Sequence, residues 1–596
     1  MIDIKINGKP VSVPEGTKIL KAARMIGVSI PSLCYHKDLK PWAACGICVV
    51  KVEGSPRLVR ACATDVTQGQ NYITHDEEIH RIRKTVVELT LSNHPQECLT
   101  CGRNQFCELQ KLAAEFAVRE IPFERNVRPL PVDASSPSVI LDPAKCIQCG
   151  RCVQVCQQLQ DVWALEYLHR GEGTRLAPVG ELPLNESPCI KCGQCAAHCP
   201  VGAIYEKDET LTLLKAINDP ETHVVVQIAP AVRVAVGEAF GLPPGTVTTG
   251  KIYAALRQLG VDTVFDTNFA ADLTIMEEGS ELVKRLVEKE GDLPQLTSCC
   301  PAWTDYMEKY YPDMIPHFSS AKSPMMMQGA LTKTYFAEVR NIDPAKIYSV
   351  AIMPCTAKKY EIMRDENMYS SGYADMDLVL TTREISRLFK TAGIDFVNLE
   401  EQEADSPIGF YSGAGTIFGV TGGVMEAAVR SAYYLVTHQE LKDVTIKPVR
   451  GMEGIKVGEV DFKGTPVKVA VAHGLANVKS VLDEIRAAKE KGLELPYHFV
   501  EVMACRGGCI AGGGQPYGTE DGTREKRING LYRDDEKSLY RCSHQNPDIM
   551  EVYEKYLGKP LSEKAHHLLH THYTPRPAYK FKDDSGVKLW QEAAGK

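Results

Sequence analysis

The stretch that decides how this chain is built is Cys146-Ile-Gln-Cys149-Gly-Arg-Cys152-Val-Gln-Val-Cys156, which recurs 43 residues on as Cys189-Ile-Lys-Cys192-Gly-Gln-Cys195-Ala-Ala-His-Cys199-Pro200. Outward from it the chain is unevenly supplied with thiols: of 21 cysteines, fifteen precede residue 200 and six follow it. At 596 residues the chain exceeds one hydrophobic core, and its 44% hydrophobic and 24% charged content is that of an ordinary globular protein. Lys plus Arg number 68 and Asp plus Glu 76, a net charge of −8 that gives no reason to expect nucleic acid or an anionic membrane as partner. Met1 opens directly into the alternation Ile2, Ile4, Ile6, unlike a signal peptide. The longest apolar stretch, Val224 to Val236, is broken by Gln227, Pro230 and Arg233, so no membrane span is expected. Many cysteines in a large chain of this kind predict metal ligation in a reducing, oxygen-poor cytoplasm rather than disulfides.

The repeated run is similar to that of bacterial two-cluster ferredoxins, in which the fourth cysteine of each run serves the other cluster. The resemblance implies one [4Fe–4S] cluster on Cys146, Cys149, Cys152 and Cys199 and another on Cys189, Cys192, Cys195 and Cys156, in a ferredoxin-like domain at 139–209. Gln157 stands where the first run would carry proline. Residues 1–78 read as a small α+β unit: Asn7-Gly8 marks a hairpin, Thr17 is placed to cap a helix from Lys18 to Ile26, and Gly27 ends it. Cys34, Cys45, Cys48 and Cys62 follow, flanking the strand-like Val49–Val52. Their spacing resembles plant-type [2Fe–2S] ferredoxins with a longer first gap, and more closely the N-terminal domain of the cluster-bearing subunit of complex I and of [FeFe]-hydrogenases. A helical stretch from Glu77 to Leu91 leads into His94, Cys98, Cys101 and Cys107. Three thiols and an imidazole suit zinc as well as iron on spacing alone. Their place among iron–sulfur motifs, and the same two families, favour a [4Fe–4S] domain at 79–118.

From about residue 210 apolar strands such as Val224–Val226 and Val469–Ala472 alternate with amphipathic helices, which predicts an α/β body with parallel sheets. Two motifs in it mislead. Gly245-x4-Gly250-Lys251 lacks the Ser or Thr of a phosphate-binding loop and follows Pro243-Pro244, so it reads as a turn into a helix from Ile252 to Leu259. Gly413-Ala-Gly415-x3-Gly419 has the wrong spacing for a dinucleotide fingerprint. No nicotinamide or flavin site is expected in this chain.

Five of the remaining cysteines sit in three segments: Thr297-Ser-Cys299-Cys300-Pro-Ala-Trp303, Met353-Pro-Cys355-Thr-Ala-Lys358, and Cys505-Arg-Gly-Gly-Cys509 followed by Gly512-Gly513-Gly514. A cubane needs four ligands, so the residues alone indicate a cluster with one spare thiol. The glycines permit close backbone approach or positive φ.

These segments resemble the three signature motifs of [FeFe]-hydrogenases, and the resemblance spans the whole chain except its last 20 or so residues. It implies a multidomain α+β and α/β protein: an N-terminal β-grasp [2Fe–2S] domain, a small helical His/Cys3 domain, a two-cluster ferredoxin-like domain, a two-lobed α/β H-cluster domain at 210–575, and a tail at 576–596. It implies one [2Fe–2S] cluster, three accessory [4Fe–4S] clusters, and an H-cluster whose cubane is held by Cys300, Cys355, Cys505 and Cys509. Cys509 would also bridge to a diiron subsite bearing CO, CN⁻ and a dithiolate amine. Cys299 would pass protons, continuing through Glu278, Ser319 and Glu281 to Arg285. Lys358 would face a cyanide, Met353 and Met503 would pack around the diiron site, and the backbone at Ala229 and Pro230 would add contacts. Met325 stands where some members carry glutamine, so no polar contact is assigned to it. Cys542 has no partner motif, and His566, His567, His570 and His572 fall on the family's terminal helix in a structural role.

The implied reaction interconverts H2 with protons and electrons. The variants Cys300-Pro-Ala-Trp and Cys355-Thr-Ala-Lys are more similar to multimeric, NAD(P)-linked, electron-bifurcating members than to a stand-alone ferredoxin-dependent enzyme. That implies a hetero-oligomer with flavin/NAD(P)-binding and small iron–sulfur subunits, and exchange with ferredoxin. A complex I-like relay subunit without chemistry would have no use for the segments at Cys299, Cys355 and Cys505. An assembly factor would lack the full front cluster set, and a sensor would need a further signalling domain.

Overall fold

The computed structural model describes residues 1–579 and divides into two compact units. The first comprises Met1–Gln158, Trp163–Leu184 and His198–Tyr205, and the second comprises Leu159–Val162, Asn185–Ala197 and the chain from Glu206. The expected ferredoxin-like stretch at 139–209 is therefore divided. Cys146, Cys149, Cys152, Cys156 and Cys199 belong to the first unit, and Cys189, Cys192 and Cys195 to the second. Of the expected tail, residues from 580 on lie outside the described residues, whereas Arg576 is held by Asp305 at 2.6 Å.

The first unit opens with a five-stranded sheet. Ile2–Ile6 and Lys9–Val13 pair antiparallel across Asn7 and Gly8, whose φ values of 52° and 79° are the left-handed pair that a two-residue hairpin requires. Alternation along these strands sends Ile4, Ile6 and Val13 into a core shared with Val50 and Tyr72. The covering helix spans Ile19–Met25, and Thr17 does not cap it. Lys18 takes the cap position and the Thr17 hydroxyl donates instead to the Pro14 carbonyl at 2.6 Å, closing the preceding turn. Gly27, at φ 76°, follows the helix end. The next helix, Glu77–Ser92, is capped by Asp76, whose side chain accepts from the Ile79 amide.

The second unit contains two sheets of four strands. One runs Thr263–Asp266, His223–Ile228, Ile347–Met353, Leu378–Thr381, all parallel. The other runs Gln295–Leu296, Phe499–Met503, Pro466–His473, Ile455–Asp461, parallel except for its last pair. Strands covered on both faces can be apolar throughout, which is why Val224–Val226 and Val469–Ala472 read as unbroken runs.

Segment after segment of the expected site leaves the C-terminal end of a parallel strand: Ala229-Pro230 after Ile228, Cys355 after Met353, Cys505 after Met503, and Thr297–Cys300 after Leu296. In the first sheet the chain goes from His223–Ile228 to a neighbour on one side and later to Ile347–Met353 on the other. Such a reversal opens a crevice beyond the strand ends.

Neither misleading motif forms a nucleotide site. Lys251 is spent on the carbonyls of Val397 and Leu399, both at 2.7 Å, and its helix begins earlier than expected, at Thr249–Gln258. Gly413 approaches Asp535 so closely that a Cβ would lie 2.2 Å from its carboxylate, leaving no room for a phosphate.

Candidate functional site

In the first unit, the thiols of Cys34, Cys45, Cys48 and Cys62 meet: Cys45 and Cys62 are near enough to shift the Cys34 thiol, and Cys62 to shift that of Cys48. His94, Cys98, Cys101 and Cys107 line a separate cavity of about 10 Å³. Burial, and secondarily the Lys145 charge, lower the His94 pKa to about 4, and its buried Nδ1 has no hydrogen-bond partner. A neutral, buried imidazole with a free nitrogen beside three thiols fits a metal ligand. Gly202 is required there, because a Cβ would sit 2.3 Å from the Cys101 sulfur. Gly150, between Cys149 and Cys152, is covered by the Trp42 indole, 2.8 Å from where its Cβ would be. His36 and His198, each within two residues of a cluster cysteine, meet edge to face at 4.4 Å.

In the second unit, Cys299, Cys300, Cys355, Cys505 and Cys509 all line one cavity of about 80 Å³. Burial pushes Cys355 up to about 12, and raises Cys300, Cys505 and Cys509 as well. Cys300, Cys355 and Cys509 are each near enough to Cys505 to add to its shift. Thiols packed this way stay protonated unless a cation ionises them, which iron does. The donor set therefore fits an iron–sulfur cluster. Met353, Met503, Ala229, Pro230 and Met325 line the same cavity, apolar on that side. Lys358 lines it too, ion-paired to Glu361 at 2.6 Å and donating to the Cys299 carbonyl at 3.2 Å.

The glycines do two jobs. Gly507 and Gly508 have φ of 83° and 95°, which a side chain would strain. The triplet serves close backbone packing instead: a Cβ on Gly512 would lie 2.2 Å from the Pro354 carbonyl, and one on Gly513 2.3 Å from the Cys192 carbonyl. The Cys505 loop is thus pressed against both the Cys355 loop and the Cys189–Cys195 segment.

The expected proton carriers are near enough to act on one another's pKa. The helix Thr267–Val283, capped by Asp266, bears Glu278 and Glu281. Glu278 is buried and neither of its oxygens completes a hydrogen bond. Burial, then the charge of Glu281, raise it to about 8. Its charge acts in turn on Cys299, whose thiol burial holds well above its usual range. Ser319 donates to Glu281 at 2.6 Å, and that well-formed bond is where its hydroxyl is committed, although it also touches the electrostatics of Glu278. Arg285 does not hydrogen-bond to Glu281. It donates to the carbonyls of Asp292, His317 and Phe318 and reaches Glu281 only through its charge.

Two residues carry more than the sequence suggested. Gln194 donates to the Cys505 thiol at 3.2 Å and to the Ala511 carbonyl at 3.0 Å. His570 is buried against Glu277 and Glu281. A hint for Gln194 lay in its place inside the second cysteine run; four histidines within seven residues obscured His570. Cys542 is buried, with its sulfur, the Glu440 carboxylate and the His544 imidazole within 4.8 Å of one another.

Comparison with known proteins agrees with this geometry. Residues 222–513 match the C-terminal domain of the iron-only hydrogenase large subunit, and 521–576 the iron hydrogenase small subunit. Ahead of them, 1–76 match a 2Fe-2S iron-sulfur cluster binding domain, 83–122 the NADH-ubiquinone oxidoreductase-G iron-sulfur binding region, and 145–203 a 4Fe-4S dicluster domain. The NADP-reducing hydrogenase subunit HndD of Solidesulfovibrio fructosivorans is 47% identical over 97% of this chain and 99% of its own length. Iron hydrogenase 1 of Clostridium pasteurianum is 41% identical over 96% of this chain and 100% of its own. An apo [FeFe]-hydrogenase structure, HydA1 from Chlamydomonas reinhardtii, superposes with a TM-score of 0.55 at 44% identity, covering 62% of this chain and 100% of that one. With near-complete coverage of such relatives and thiols gathered at the strand ends where the chemistry is expected, this chain belongs to the [FeFe]-hydrogenases, oxidoreductases acting on H2.

Proposed function

We propose that the chain is the catalytic subunit of a multimeric, electron-bifurcating [FeFe]-hydrogenase. It exchanges electrons between H2, a flavin- and NAD(P)-binding partner subunit and ferredoxin, in an oxygen-poor cytoplasm and alongside small iron–sulfur subunits. The observation that carries the catalytic assignment is the gathering of five thiols on one cavity, one more than a cubane requires, with the buried carboxyl of Glu278 near enough to act on the fifth.

Cys300, Cys355, Cys505 and Cys509 would hold the cubane of the H-cluster, with Cys509 shared with the diiron subsite. When bound, that group supplies an electrophilic metal beside an amine base, the pair that heterolytic cleavage of H2 requires. Lys358 holds a positive charge against the cavity wall, suited to an anionic cyanide. Met353, Met503, Ala229 and Pro230 keep water from it. Cys299 moves protons between the cavity and Glu278, and Ser319 and Glu281 carry them on toward Arg285. Cys34, Cys45, Cys48 and Cys62 would hold one [2Fe–2S] cluster. His94 with Cys98, Cys101 and Cys107, and the two crossed cysteine runs, would hold three [4Fe–4S] clusters.

The partner reading is supported by the similarity to an NADP-reducing hydrogenase subunit. Infrared spectroscopy on protein matured with the H-cluster assembly machinery tests the first part, and absence of CO and CN⁻ bands would refute it. Hydrogen-dependent reduction of NAD(P), measured with and without co-purifying subunits, tests the second.

A further inference from the structure

We propose that His570 is a positioning residue of the proton path, fixing which of its two carboxyls holds the resting proton. This rests on reading Glu278, Ser319 and Glu281 as that path.

His570 is enclosed by two glutamates and the hydroxyl of Ser320. Glu277 accepts from the Tyr553 hydroxyl, from the Leu561 amide at 2.9 Å, and faces His570 Nε2 at 3.0 Å. Glu281 accepts from the Ser319 hydroxyl, and from the amide and hydroxyl of Ser320. The amides of Leu561 and Ser320 can only donate, so each glutamate accepts a backbone bond beside its hydroxyl contacts. The Ser320 hydroxyl, which touches Glu281, also lies 2.8 Å from His570 Nδ1 and so links the ring to that carboxyl. His570 stands between two carboxyls, 3.0 Å from Glu277 and 3.5 Å from Glu281, a setting that favours the charged imidazole. The helix periodicity explains the arrangement: Glu281 shares a face with Glu277, four residues back, and lies about 60° from Glu278, three back, so it neighbours both, while Glu277 and Glu278 are about 100° apart.

The other groups in reach do not compensate. His566 stacks parallel on the ring at 4.7 Å, and its own pKa is lowered by partial burial and by the His570 charge. Arg285 acts on Glu281 and Glu278 only at a distance. Burial opposes the charge on His570, yet the bonds to Glu277 and Glu281 carry it up to about 9. Burial likewise opposes ionisation of Glu281, and His570 heads the interactions that reverse this. Ionised Glu281 in turn helps to hold the proton on Glu278. The order of influence is His570, Glu281, Glu278, and it leaves the proton on the carboxyl nearer Cys299.

The test uses the matured holoenzyme and pH-difference infrared spectroscopy of protonated carboxyls. In the wild type near neutral pH, one carboxyl band is expected that disappears in Glu278→Gln and survives in Glu281→Gln. A band that instead belongs to Glu281 overturns the proposal without any change at His570. In His570→Gln, part of that intensity moves to Glu281, and the acid limb of the H2-evolution profile moves up by about one unit or more, with CO and CN⁻ bands unchanged. If His570→Gln leaves both band and profile at wild-type values, His570 is merely structural. The underlying path fails separately: Glu281→Gln with full turnover would refute it while leaving the carboxyl bands to report on His570.

Discussion

The side-chain amide of Gln194 donates a 3.2 Å hydrogen bond to the sulfur of Cys505, joining the second cysteine run to the third signature segment across 311 residues of chain. Donors to a cluster sulfur favour the reduced, more negative cluster, and so raise its potential. Gln194→Leu removes the donor with little change in volume. A net bond of about 1 kcal/mol corresponds to at most roughly 40 mV for one electron. The expected result is a downward shift of that size in the cubane potential, read by a redox titration followed by electron paramagnetic resonance. An unchanged potential would mean that the amide serves only the Ala511 carbonyl.

Cys299→Ser replaces the spare thiol by a hydroxyl that gives up its proton far less readily. The cofactor should remain bound, because Cys299 is outside the proposed ligand set. Most turnover should be lost, by a factor of about 100 or more. Iron content and infrared bands measure the first expectation, and H2 evolution with an artificial electron donor the second. Full activity would remove Cys299 from the path.

Arg233 and Asp266 hold the base of the same cavity wall. The buried guanidinium binds both Asp266 oxygens, at 2.7 and 2.9 Å, and the Pro230 carbonyl at 3.1 Å. Asp266→Asn leaves that charge without its main partner, and such a loss costs about 3–5 kcal/mol. Asp534, 3.6 Å from Arg233, offsets part of it, so the lower end is expected. Replacing both residues by leucine should cost less than Asp266→Asn alone. Thermal unfolding at one fixed scan rate compares the two, and the reverse order would assign the pair a net stabilising role.

What could be read in advance was whatever local chemistry fixes. Thiol spacing, the Asn7-Gly8 turn and the apolar runs of the parallel strands state their structure within a few residues. What could not be read was set by packing between distant segments. Thr17 has the chemistry of a helix cap, but Lys18 takes the cap position and the Thr17 hydroxyl closes the preceding turn on the Pro14 carbonyl. Gly512–Gly514 announced a close backbone approach, but not that the approach is to Pro354, Cys192 and Thr381. Gln194 and His570 were hidden because their partners lie 311 and 289 or more residues away, where no periodicity reports them.

The burial of Glu278 makes a last prediction about stability. Its carboxyl pKa is raised to about 8 in the fold, against 4.5 for the ordinary group, because burial and then Glu281 penalise its charge. Between these two values the folded chain holds a proton that the unfolded chain has released, so this residue's contribution to stability declines as pH rises. Below about 4.5 both states are protonated and nothing is lost; above about 8 both are ionised and the decline is complete. Glu278→Gln, which cannot ionise, should therefore gain on the wild type progressively across that window and by a constant margin above it. Unfolding measured at one scan rate from pH 5 to pH 9 follows the difference. A difference that is flat with pH would mean that Glu278 is ionised throughout, and a protonated carboxyl beside Cys299 would no longer be available to the path.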